Sequence, residues 1–173
     1  MNLIVGTPIW LVGLLLIILL AAAIEDAIRL RISNPTCLAI FVMAIVAMAV
    51  HGFPFALWQN IVVFIAILAF GTLAFGAGWL GGGDVKLLAA LGLWVDFDGA
   101  LLLLAGTFIA GGAVAILYLA ARLIIPGRSR ADGSRRIPYG LAITAGALLA
   151  FGLQARQPET NPYIAKLKAA EHR

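Results

Sequence analysis

Charge is what this chain has least of: Asp, Glu, Lys and Arg make up 12% of its 173 residues, and none of the four occurs from Ile32 to Gly83. That run is more than twice what one helix needs to cross a hydrocarbon core of roughly 30 Å, so it crosses at least twice. With 63% hydrophobic residues and a mean hydropathy of +1.06, a soluble globular domain is excluded and lipid is the solvent. Cysteine is nearly missing. Cys37 alone can build neither an intrachain disulfide nor a cysteine-ligated zinc site, and its place near the start of an apolar run reads as small packing. Histidine is as sparse: His51 and His172 are the only two, and no His-Glu-x-x-His occurs, which disfavours zincin or Ser-His chemistry. No metal and no cofactor are expected. The net charge of +4 does not form a basic face interleaved with aromatics, so nucleic acid is not the partner. No Lys or Arg precedes the first apolar stretch. Although Ala21-Ala22-Ala23 offers a cleavable small-residue pattern, that lack and about 20 uncharged residues argue for a retained first span rather than a secretory signal.

What is present is a series of apolar runs separated by breakers. They predict an all-α polytopic membrane protein with six transmembrane helices at about 3–24, 35–51, 58–78, 82–97, 99–121 and 138–154, followed by a polar tail over 155–173. Helix is the form expected because the runs are continuous rather than alternating, and backbone polar groups in lipid must be satisfied within each segment. Gly52 and Pro54 break the chain between His51 and Asn60, and Asp96-Phe97-Asp98-Gly99 makes a second hairpin. The fourth span is the shortest, with Asp84 and Lys86 at its start and Asp96 soon after, and it also fits a re-entrant segment. Loop charge favours a crossing: Arg29 and Arg31 follow the first span, Lys86 the third and Arg122–Arg136 the fifth, while the other two connections hold no Lys or Arg. This alternation places 25–34, 79–87 and 122–137 in the cytoplasm and both termini outside. Arg156, Lys166, Lys168 and Arg173 in the tail run against it, though only Arg156 adjoins a span.

Asp26 follows the first span and Asp84 opens the fourth, with two crossings between them, so both end on one membrane side. Carboxylates at such positions are costly unless paired, hydrated or used. Alone, Asp26 beside Glu25, Arg29 and Arg31 reads as a solvated helix-end charge; the pair carries more weight. Two aspartates held close cannot both ionise easily and share one proton. The ionised member can then take a proton from an attacking water while the other donates to a scissile carbonyl. Gly81-Gly82-Gly83 just before Asp84 reads either as a loop-to-helix junction or as a surface on which a substrate strand lies close to the backbone.

Gly81-Gly82-Gly83-Asp84-Val85-Lys86-Leu87-Leu88 resembles the GxGD signature of the prepilin peptidases, and Asp26-Ala27-Ile28-Arg29-Leu30-Arg31-Ile32-Ser33-Asn34 resembles their first aspartate segment. Arg136-Ile137-Pro138-Tyr139-Gly140 is similar to the segment that leads into their last span. The resemblance implies a membrane aspartic endopeptidase of the bacterial cytoplasmic membrane, with Asp26 and Asp84 catalytic and a prepilin or pilin-like protein as substrate, cut beside its short basic leader. The compact length resembles the Flp/Tad pilus branch. Two departures stand out: Ser33 replaces the proline usual before Asn34, and no long cysteine-paired insertion separates the first two spans. The second departure implies leader removal without N-methylation.

Other groups carry plainer readings. Lys86 is the basic residue expected at a cytoplasmic junction, with tuning of the aspartates as its other role. Pro138 fits the first turn of a helix, Asp96 and Asp98 read as hairpin solvation on the opposite side, and the Arg122–Arg136 loop reads as solvated or lipid-facing. Two rivals remain: an ion-coupled carrier, since intramembrane carboxylates also mark ion pathways, and a non-catalytic subunit of a pilus or secretion machine.

Overall fold

The computed structural model describes residues 1–5, 7–124 and 139–155. Their regular elements are helical throughout: α1 (Ile9–Arg29), α2 (Asn34–Val50), α3 (Trp58–Gly76), α4 (Gly82–Gly92), α5 (Phe97–Ile124) and α6 (Tyr139–Ala155), with a 3-10 turn at Phe55–Leu57 before α3. Three of these segments, Ile9–Arg29, Phe55–Gly76 and Phe97–Leu117, are long and apolar enough to cross a membrane. α2 and α6 are apolar but have 17 residues each, roughly 26 Å of rise, while the 11 residues of α4 rise only about 16 Å.

Local chemistry sets the boundaries. Pro8 stands just before α1, and Leu30 ends it in a left-handed conformation, φ 52°, with its N–H on the Asp26 carbonyl. Ser33 caps α2 by accepting from the Thr36 N–H, with Pro35 in the first turn. Asp96 caps α5, its Oδ1 accepting the Gly99 N–H at 3.0 Å.

The first helix is therefore shifted from the expected 3–24. Residues 1–5 and Thr7 instead pack over the end of the bundle: Leu3 is fully buried, its N–H bonds the Trp94 carbonyl at 3.0 Å, and Thr7 bonds the Leu3 carbonyl and His51. Asp26 consequently lies inside the last turn of α1 rather than after it. The fourth segment is also shorter than expected. Its helix stops at Gly92, and Leu93 to Val95 continue as a buried turn.

Packing nevertheless carries that segment from one end of the bundle to the other. Near its start, Gly83 meets Ile32 and the Cys37 thiol approaches the Gly83 carbonyl, both beside the start of α2. At its far end, the Leu93 carbonyl accepts from fully buried Asn60 at 2.9 Å, the Trp94 indole donates to the Ile40 carbonyl at 3.3 Å, and Asp96 accepts from Gln154 at 3.2 Å. Asp96 is thus a joint between α5, α6 and the chain's amino group, 3.7 Å away, and not only a solvated hairpin charge.

α5 and α6 pack most extensively. Helices associate in lipid through close van der Waals contact, and here a Cβ on Gly106 would stand 3.0 Å from the Gly146 Cα, one on Gly146 only 2.5 Å from the Thr107 nitrogen. Gly146→Ala is expected to destabilise the protein by about 1–3 kcal/mol, as overpacking does. An unfolding midpoint in mild detergent equal to wild type would contradict that packing.

Candidate active site

Asp26 and Asp84 line one cavity of about 940 Å³ at the end of the bundle where α1 finishes and α2, α4 and α6 begin. Asp26 is 4% exposed, and its Oδ2 accepts the Gly140 N–H at 2.7 Å. That donor belongs to the first turn of α6, where backbone N–H groups lack helical partners and the helix dipole favours an anion. Asp84, partly exposed, occupies the first turn of α4, its Oδ2 accepting the Gly81 N–H at 3.2 Å.

Ile32 separates the two helix starts. A Cβ on Gly83 would stand 3.1 Å from the Ile32 carbonyl oxygen, and one on Gly140 would stand 2.9 Å from the Ile32 Cδ1 and 2.9 Å from the Asp26 Oδ2. All three glycines before Asp84 line the cavity; Gly83 also faces Ile32, and a Cβ on Gly81 would lie 2.6 Å from the Asp84 Oδ2 it caps.

The remaining wall is mixed. Arg31 and Tyr139 face the cavity, as do the apolar rings of Phe75 and Trp79, the latter 76% exposed. Lys86 donates to Asn34 Oδ1 at 2.9 Å, a bond that ties α4 to the start of α2. Glu25, which the sequence showed only as a neighbour of Asp26, accepts the Ser33 N–H at 3.3 Å and faces Arg29 at 3.6 Å. Its spacing of four residues from Arg29 was a legible signal; the Ser33 contact was not. Asp96 and Asp98 lie at the opposite end of the bundle. The side chain of Arg122, the residues Arg128, Arg130, Arg135, Arg136 and Pro138, and the tail from Arg156 lie outside the described residues. Among the described residues, no group of three or more His, Cys, Asp and Glu side chains could hold a metal ion.

Chemically, two carboxylates on one cavity wall, each held by a backbone N–H, can manage the protons of a hydrolysis without a covalent intermediate. A profile of the type IV leader peptidase family matches residues 13–116, a span that contains both aspartates. No curated protein and no solved structure matches the chain.

Proposed function

This chain belongs to the type IV leader peptidase family, and from that premise we propose that it is an aspartic endopeptidase that removes the short basic leader of prepilins or pilin-like proteins at the cytoplasmic face of the bacterial membrane. The observation that carries the proposal is the shared cavity: Asp26 from α1 and Asp84 from α4, 58 positions apart in sequence, converge on it. A water lodged between them attacks the scissile carbonyl carbon. One carboxylate takes the water's proton, the other gives its own to the carbonyl oxygen, and a neutral diol forms. Proton return to the amide nitrogen breaks the C–N bond, a diol hydroxyl reprotonates the second carboxyl, and the pair is restored.

In this reading the chain crosses six times with both termini outside. Support comes from the segment 82–96, which joins opposite ends of the bundle although α4 itself is short, and from the cationic residues Arg29, Arg31 and Lys86 around the cavity, as expected of a cytoplasmic face. Only four residues separate α1 from α2, which leaves no room there for an inserted domain and supports a short peptidase of the Flp/Tad type that removes leaders without methylating the product.

Sided vesicles test the proposal. A Flp-type prepilin added to inverted inner-membrane vesicles should lose its leader, whereas sealed right-side-out vesicles should leave it intact until opened. Cleavage in sealed right-side-out vesicles would overturn the orientation; no cleavage in either, with the protein present and folded, would favour a non-catalytic subunit.

A further inference from the structure

Building on the proposed peptidase, we infer that Asp26 is the carboxylate that takes the proton from the attacking water, and that Gly140 is the positioning residue that holds it to that task. The two aspartates are not gripped alike. The Gly140 N–H meets Asp26 Oδ2 at 2.7 Å, within the short range of charge-assisted bonds, and does so at a side chain only 4% exposed, where little water competes. The Gly81 N–H meets Asp84 Oδ2 at the longer distance of 3.2 Å on a partly exposed wall. A donor at the positive end of α6 stabilises a charged carboxylate more than a neutral one, so the negative charge of the pair rests on Asp26 and the shared proton on Asp84.

The Gly140 N–H engages Oδ2, and the Leu141 N–H in the same helix turn adds to the hold on this carboxylate. During attack, the water's proton passes to Asp26 as its oxygen bonds the carbonyl carbon, and Asp84 protonates the carbonyl oxygen. Collapse sends the Asp26 proton to the leaving nitrogen, and a diol hydroxyl returns a proton to Asp84.

Position 140 admits only glycine in this arrangement. A Cβ there would stand 2.9 Å from each of Asp26 Cβ, Asp26 Oδ2 and Ile32 Cδ1, forcing the carboxylate off the N–H. The other charged or titratable groups on the cavity wall are Glu25, Arg29, Arg31, Asp84, Lys86 and Tyr139, and the three atoms nearest a Cβ at Gly140 belong to Asp26 and Ile32.

Steady-state cleavage of a Flp-type prepilin by the full chain in lipid, read across pH, decides the matter. Gly140→Ala should lower kcat by about 10- to 100-fold, as misplacement of a catalytic group by about an ångström does, with KM little changed. Its acid limb should move to higher pH, because the base without its N–H donor gives up its proton later. Ile32→Val removes one of the three atoms that a new methyl would meet, so Gly140→Ala/Ile32→Val should fold more readily while the two Asp26 contacts keep its rate low. If the single variant does not fold, the acid limb is read in the double variant. Gly152→Ala, on the same helix with nothing within 4 Å, should match wild type. A Gly140→Ala enzyme with wild-type kcat, or one slowed without movement of the acid limb, would overturn the inference. Failure of the peptidase reading itself would look different, as no cleavage of any prepilin by folded wild-type protein.

Discussion

Replacing Asp84 or Asp26 by Asn should lower leader cleavage by about 10²–10⁴-fold, the usual contribution of a positioned proton-transfer group, while leaving the protein inserted and folded. Asn keeps the shape of the side chain and can still accept from the Gly81 or Gly140 backbone, so the variants isolate proton transfer from packing. In the proposed mechanism the two carboxylates serve one proton cycle, so their losses should not add. Asp26→Asn/Asp84→Asn should be about as slow as the poorer single variant, as found for groups that act as a unit. Independent, multiplying losses in the double variant would mean that the aspartates serve separate steps.

The second large effect concerns stability. Trp94 is fully buried at the end of the segment that carries Asp84, its indole donating to the Ile40 carbonyl and its own carbonyl accepting from Leu3. In a bilayer the surrounding lipid is as apolar as the core, so such a ring contributes chiefly through the contacts that a void would forfeit. Trp94→Ala should cost about 3–5 kcal/mol, read as a lowered unfolding midpoint in detergent, and Trp94→Phe on the order of 1–2 kcal/mol. An alanine variant as stable as wild type would contradict the packing around Trp94.

Much of the fold was legible because lipid imposes simple rules on composition. The charge-free run from Ile32 to Gly83 reads as helices, and the two helices between Asp26 and Asp84, α2 and α3, send both carboxylates to one end, where they line one cavity. Hydropathy gave the wrong start for α1 because it measures transfer into an apolar medium and not helical geometry: Leu3 satisfies it as a plug over the bundle, while Pro8 decides where the helix begins. The Gly140 contact left no side-chain signal, since its donor is a backbone N–H and its acceptor lies 114 residues away. Asp96 was legible only in part for a related reason: a hairpin carboxylate looks alike in sequence whether it faces water alone or, as here, also joins Gln154, the Gly99 N–H and the terminal amine.

The most direct measurement is intact-mass detection of leader removal from a panel of Flp-type and type IV prepilins, by the purified protein in lipid beside its Asp26→Asn and Asp84→Asn variants. Leader loss with wild type and with neither variant is the expected result. Cleavage retained by both variants would contradict the assignment of Asp26 and Asp84, and no cleavage of any prepilin by folded wild-type protein would contradict the peptidase itself.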